Sequence, residues 1–406
     1  MQATSTSTKL WTKDFLLLTL SNLFMASGSF FLIPTLPIYA EKVLQSSKTD
    51  IGLILGLYTL SALLMRPLAG WALDIVGRKW VYLCGMVIFV ILMPFYLWAT
   101  TMATLLLLRF LHGIAWGVIT TGGSTIVSDI VPAARRGEGI GYFGMSFTIS
   151  MALGPVLGLW MIAAWDFSTI IWASSAVSLV TLLIALTIHY PVHTASIQHK
   201  QTSWDQFIDK RGIPTATLAL ICSAVYGGLV TFITLFTQEK KIAAIQWGDF
   251  TLPSSAVFFM LYALGLTLIR PIAGTWLDRH GPKQVLGYGF VVLIVGLTSL
   301  ASIHTLGGLM VASAITGVGM GTILPTTLTM VVNLVEPEKR GVANSTFFSA
   351  VDIGVGLGSI LLGKLADIVS IATMFYFCAL VIFIPLALFF LLVLPDYQKK
   401  LTQVNA

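Results

Sequence analysis

Apolar residues fill this chain in blocks of about 20, broken by short polar stretches. A helix rises 1.5 Å per residue, so a block of that length crosses a hydrocarbon core of roughly 30 Å. Twelve blocks are present, at approximately 14–39, 50–73, 80–99, 103–127, 138–163, 167–189, 213–237, 254–276, 285–303, 306–332, 341–365 and 371–395. They predict an all-α membrane protein of twelve transmembrane helices, because a helix satisfies its own backbone groups where no water can. If the N-terminus is cytoplasmic, the inward-facing breaks hold Lys9, Lys13, Arg78, Lys79, Arg135, Arg136, Lys200, Lys210, Arg211, Arg279, Lys283, Lys339, Arg340, Lys399 and Lys400. The outward breaks hold only Lys42, Lys48, Lys240 and Lys241. That bias places both termini in the cytoplasm.

The longest polar break, residues 191–212, divides the chain into an expected six-helix half at 1–190 and another at 213–406. A single offset of 204 relates them: Arg66-Pro67 becomes Arg270-Pro271, Gly70 becomes Gly274, Asp74 becomes Asp278, Gly77 becomes Gly281 and Lys79 becomes Lys283. The same shift carries Tyr58 to Tyr262, Gly113 to Gly317, Gly154 to Gly358 and Arg136-Gly137 to Arg340-Gly341. Six spans per half keep both halves in one orientation, so the expected architecture is two parallel repeats with a binding site near the midplane.

Composition excludes a soluble protein: of 406 residues, 56% are hydrophobic and 10% charged, against roughly a quarter charged in soluble domains. The net charge of +6 comes with no basic cluster longer than a pair, so topology accounts for it and no nucleic-acid partner is expected. Cys84, Cys222 and Cys378 all lie in apolar blocks and suggest neither disulfides nor a metal site. The first block lacks a signal peptide's short core and cleavage site and is expected to be retained. No nucleotide loop, metal-ligand cluster or catalytic triad is present, so an enzyme is not expected.

The break after the second block, Gly70-Trp71-Ala72-Leu73-Asp74-Ile75-Val76-Gly77-Arg78-Lys79, resembles the loop signature of the major facilitator superfamily at its Gly, Asp, Gly, Arg and Lys positions. Arg109-Phe110-Leu111-His112-Gly113 is similar to a second family element, with His112 at the usual Gln, and Gly141, Gly154-Pro155 and Gly158 resemble the signature of its twelve-span drug:proton antiporters. Ser150 and Leu159 replace two glycines of that last signature, and Pro282 replaces the loop arginine in the second half, so an asymmetric latch is expected. The resemblance implies a monomeric transporter in a bacterial inner membrane that exports small organic compounds against protons, without a nucleotide or metal cofactor. It also implies a latch of Asp74 and Arg78 with Asp129, Arg135 and Arg136. The bottom-up reasons are that a Gly near a helix end permits close helix contact, and that an Asp there can pair with a base or face a helix N-terminus.

An ionisable group at mid-membrane marks a pathway or relay by default. Of the 17 acids, Asp352 lies deepest, about ten residues into its block, and is the first choice for proton coupling, with a structural hydrogen bond as the plain alternative. Arg109 is expected to tune that acid; His112 is either a second proton site or a hydrogen-bonding residue. Asn22, Tyr58, Trp116, Phe147, Tyr226, Tyr262, Met320 and Phe347 are the substrate-surface positions implied by the resemblance, suited to amphipathic or cationic organic molecules. Proton-coupled uptake of a sugar or metabolite, lipid translocation and a transport-dead sensor stay open as alternatives.

Overall fold

Each apolar block is a helix in the structure, a computed structural model that describes residues 9–132, 135–190, 209–248, 250–335 and 340–405. The helices are α1 (Lys13–Lys42), α2 (Lys48–Ile75), α3 (Arg78–Leu92), α4 (Met102–Ile130), α5 (Arg136–Ala164) and α6 (Phe167–Leu186), then α7 (Ile213–Glu239), α8 (Ser254–His280), α9 (Pro282–Ala301), α10 (Leu306–Asn333) and α11 (Arg340–Ile368). The last block bends into α12 (Ile371–Val381), α13 (Phe383–Leu388) and α14 (Leu394–Asn405), with one wide turn at Phe389–Val393. A 3-10 turn at Pro94–Trp98 extends α3. Among the described residues twelve segments are long and apolar enough to span a membrane.

Polar caps fix several starts: the side chains of Thr101, Asp166, Thr305 and Ser370 accept hydrogen bonds from the backbone amides of Thr104, Thr169, Gly308 and Thr373. Large apolar side chains such as Leu64, Leu68, Trp71, Trp172, Leu361 and Leu391 stand exposed, an arrangement that lipid accommodates and water does not. The apolar pattern did not predict the short hairpin of β1 (Ile245–Trp247) and β2 (Phe250–Leu252), paired antiparallel between α7 and α8.

The chain gathers into two compact units, one of residues 1–32 with 61–199 and the other of 33–60 with 200–406, so the division runs through α1 and α2. Of the expected linker, residues 191–208 lie outside the described residues. Each unit repeats the packing of the other at the level of single atoms. A Cβ on Gly117 of α4 would lie 2.5 Å from the Ala62 carbonyl of α2, and one on Gly321 of α10 would lie 2.6 Å from the Leu266 carbonyl of α8. Gly85 meets Val118 and Ile119, and Gly289 meets Thr322 and Ile323. Both partners shift by 204 in each case, so the sequence offset is a repeated set of helix contacts and the fold is two six-helix parallel repeats.

Within the second unit, α7 lies along α11, with Gly227 against the Val355 backbone and Gly354 against Leu220. The N-terminal half of α2 also packs on α11. Asp367 caps it, its carboxylate accepting from the amides of Lys48 at 2.7 Å and Thr49 at 3.0 Å and from the Thr49 hydroxyl at 2.5 Å. Lys48 Nζ pairs with Glu239 at 2.8 Å.

Candidate functional site

In the first unit the loop signature closes around a buried guanidinium. Gly77 has φ +103, a conformation costly for any other residue, and this turn swings Arg78 back towards α2. Arg78 Nη1 donates to Asp74 at 2.6 Å and to the Leu73 carbonyl at 2.8 Å, and Nε donates to Asp129 of α4 at 3.0 Å. Three fixed acceptors suit the rigid fork of Arg better than a Lys ammonium. Of the other expected latch residues, Lys79 is exposed with its ammonium 5.5 Å from the Trp80 ring, and the side chain of Arg136 lies outside the described residues.

Among the described residues the close helix contact expected at Gly70 is absent: a Cβ there, or on its counterpart Gly274, would meet none of them within 4 Å. The second copy of the signature keeps its turn, with Gly281 at φ +72, but Pro282 takes the place of the guanidinium. Asp278 is exposed and joins no ion pair among the described residues.

Two of the antiporter-like glycines, Gly154 and Gly158, lie on the face of α5 that meets α1, whereas a Cβ on Gly141 would meet nothing within 4 Å among the described residues. A Cβ on Gly158 would sit 2.5 Å from the Phe31 carbonyl oxygen and 2.9 Å from Phe31 Cα, and one on Gly154 would strike Phe30 Cβ. Pro155, between them, is accommodated inside the helix. Ser150, at a departed glycine position, adds a polar tie: its hydroxyl lies 2.7 Å from the Leu23 carbonyl, 3.1 Å from Ser27 Oγ and 3.0 Å from the Ser146 carbonyl. Asn22 Nδ2 donates to Ser146 Oγ at 2.8 Å, so this substrate-surface candidate is part of the same seam.

Deeper along α4, Arg109 and His112 are fully buried. The imidazole is held at both nitrogens, Nε2 lying 2.9 Å from the Phe89 carbonyl of α3 and Nδ1 3.0 Å from the phenol of Tyr96. The Arg109 guanidinium is the other polar neighbour of that phenol. Aromatic rings continue from this group: Phe89 to Trp116 at 6.3 Å, Trp116 to Phe147 at 6.3 Å, and Phe147 to Phe30 at 5.3 Å. Trp116 and Phe147 keep partly exposed faces. The apolar pattern gave no sign of Tyr96, Ser146 or Ser27.

In the second unit Asp352 is half-buried, twelve residues into α11. Two residues on, Gly354 allows α11 to approach the Leu220 carbonyl of α7. Phe347 is buried with Ala350 in a cluster that includes Ala216 and Ala219 of α7, so it is packed rather than open to a ligand in this structure. Met320 and Tyr58 are also buried. Tyr226 and Tyr262 stack at 6.0 Å and Phe258 stacks on Tyr262 at 5.7 Å, with Tyr226 keeping a half-exposed face. Among the described residues no group of His, Cys, Asp and Glu could hold a metal ion.

Known proteins place this arrangement. The staphylopine export protein of Staphylococcus aureus is 22% identical over 86% of this chain and 88% of its own. The quinolone resistance protein NorA of the same organism is 25% identical over 84% of this chain and 87% of its own. The solved structure of the nucleoside transporter NupG superposes with a TM-score of 0.72 at 18% identity, covering 93% of this chain and 99% of that one. The family model for the Major Facilitator Superfamily matches residues 18–261 and 242–406. With its duplicated helix contacts and its Asp74–Arg78–Asp129 ion pairs, the chain is an integral membrane transporter of the Major Facilitator Superfamily.

Proposed function

We propose that the protein is a proton-coupled antiporter that exports small amphipathic or cationic organic compounds by alternating access, as a monomer with both termini in the cytoplasm. The observation that carries the reading is Asp352, a half-buried carboxylate in the middle of a membrane-spanning helix. A group there exchanges a proton at low cost only if something compensates each charge state. A cationic substrate compensates the carboxylate and a proton neutralises it, so the two compete for one acid. Tyr226, in the same unit as Asp352, offers an aromatic face to an organic cation, and Arg109 is the fixed, buried positive charge of the other unit. Export is supported by what two relatives do, one a staphylopine exporter and the other a quinolone resistance protein. The Asp74–Arg78–Asp129 latch stabilises one of the two access states.

The test is transport in proteoliposomes of known orientation, with an imposed pH gradient, a lumenal pH dye and a panel of lipophilic cations, nucleosides, sugars and metabolites. Movement of a lipophilic cation against the proton flow, lost in Asp352→Asn at unchanged abundance, is expected. Movement of substrate with protons makes the protein an importer, and undiminished gradient-driven efflux by Asp352→Asn removes that residue from the coupling site.

A further inference from the structure

We infer that Tyr96 and His112 are positioning residues for Arg109, forming a one-way hydrogen-bond chain that starts at the Phe89 carbonyl and ends on the guanidinium. The inference rests on the transport reading above for the importance of Arg109, and on the geometry for everything else. A carbonyl only accepts, so the 2.9 Å contact from His112 Nε2 to the Phe89 carbonyl places a hydrogen on Nε2. In the neutral ring Nδ1 is then a bare acceptor, and at 3.0 Å it receives the Tyr96 hydroxyl hydrogen. With its hydrogen committed to the imidazole, the Tyr96 oxygen presents only lone pairs to its other neighbour. That neighbour is Arg109, which has donors alone.

The order of donors therefore runs from Arg109 to Tyr96, from Tyr96 to His112 and from His112 to the Phe89 carbonyl, and no link can be reversed without leaving two donors or two acceptors face to face. All four residues are buried, so water does not substitute for a missing link and each break leaves an unsatisfied buried group. The rings pack the chain in place, with Phe89 and Tyr96 centred 4.1 and 5.3 Å from the imidazole. His112 thus holds the arginine by its tautomer, through a tyrosine carried on the 3-10 turn that follows α3.

This assignment makes a distinction that a merely structural histidine, or a titrating one, does not. A glutamine side chain also offers an N–H donor, from its NH2 group, and a carbonyl acceptor, so His112→Gln can rebuild the chain, whereas His112→Leu cannot. Tyr96→Phe keeps the ring and removes only the link. In the proteoliposome assay, the maximal rate of proton-coupled transport is expected to fall roughly ten- to hundredfold in Tyr96→Phe and in His112→Leu, with KM little changed, as for loss of one hydrogen bond to a charged group. His112→Gln is expected to stay within about twofold of the parent. The double variant of Tyr96→Phe with His112→Leu is expected to be no worse than either single change, since both cut one chain.

Nitrogen-15 NMR of the imidazoles in the intact protein at pH 7, with the His112 signals identified by their loss in His112→Gln, reads the tautomer without any transport. A protonated Nε2 beside a hydrogen-bonded, unprotonated Nδ1 is expected. The opposite tautomer or an imidazolium overturns the chain, as does a His112→Gln variant as impaired as His112→Leu or a Tyr96→Phe variant with parental rate. Silence of the parent protein towards every compound counts against the exporter reading, while the spectrum still decides the chain.

Discussion

Adding one methyl group to α5 at two places should change stability in opposite directions. At Gly158 the new Cβ would stand 2.5 Å from the Phe31 carbonyl oxygen and 2.9 Å from Phe31 Cα, about 1 Å short of an ordinary contact. Both obstacles are backbone, so no rotamer relieves them and α1 must move away from α5. At Gly144, about four turns earlier on the same helix, a Cβ meets nothing within 4 Å among the described residues. The intrinsic gain of Ala over Gly in a helix, about 0.5–1 kcal/mol, applies at both sites and cancels in their comparison. What remains is overpacking, typically 1–3 kcal/mol. At about 2–4 °C per kcal/mol for a unit of 150–250 residues, Gly158→Ala should melt roughly 2–12 °C below Gly144→Ala in detergent, followed by intrinsic tryptophan fluorescence. Gly144→Ala itself should melt slightly above the parent. Equal melting temperatures for the two variants would refute the account of this glycine as a close-contact residue.

Other expectations follow from single contacts. Arg78→Lys removes the fork that reaches Asp74, Leu73 and Asp129; because Asp74 is largely exposed, its share is discounted and a loss of about 1–3 kcal/mol is expected, with Asp129→Asn adding little on top, as read in a double-mutant cycle of thermal stability. Ser150→Ala cuts the α1–α5 seam and should cost about 0.5–1.5 kcal/mol in the same assay. Asp367→Asn keeps only one good acceptor for the start of α2, so a cysteine at the buried Ser359 position, which packs on Gly52, should label faster with a maleimide; unchanged labelling would remove Asp367 as the clamp. Asp166, at the start of α6, has its carboxyl pKa lowered by hydrogen bonds from the Thr169 hydroxyl and amide. A depressed folded value means that this contribution is complete above the ordinary carboxylate pKa of about 3.9 and is lost as pH falls through the folded one. Melting curves of parent and Asp166→Asn should therefore converge in acid and differ near neutrality.

The twelve spans were legible because in a membrane the requirement falls on every residue of a block, so a run of letters suffices. The repeat was legible for a related reason: helix contacts such as Gly117 on Ala62 and Gly321 on Leu266 tolerate only the smallest residue on one side, and that constraint leaves glycines in register. Which face of a helix meets which neighbour is not written in a run of letters. Hence Gly70 was expected to make a close contact that is absent among the described residues, and Ser150 looked like a lost glycine when it ties α1 to α5. Tyr96 could not be picked out, because it lies on a five-residue turn at the end of a block and matters only through two atoms brought to it from α4. The β1–β2 hairpin fell in a break too short for any periodicity to register.

The same offset also shows where the halves part company, and the pattern bears on function. Packing is duplicated, whereas Arg109, His112 and Asp352 are not. Arg109 has Ser313 as its counterpart, a buried hydroxyl bonded to the Leu309 carbonyl of its own helix, and His112 has Thr316, bonded likewise to the Ala312 carbonyl. In the other direction Asp352 answers to Thr148, whose hydroxyl returns to the Gly144 carbonyl. A Ser or Thr that bonds its own helix needs nothing from its neighbours, whereas an ionisable group in a membrane needs a compensating partner at every step. The buried cation and its Tyr96–His112 support thus belong to one repeat and the membrane acid to the other, while the glycine contacts that set the helices are common to both. Duplication alone would have left two cations or two acids. The observed division leaves the buried Arg109 in one repeat and Asp352 in the other, and the proposed proton coupling rests on that division.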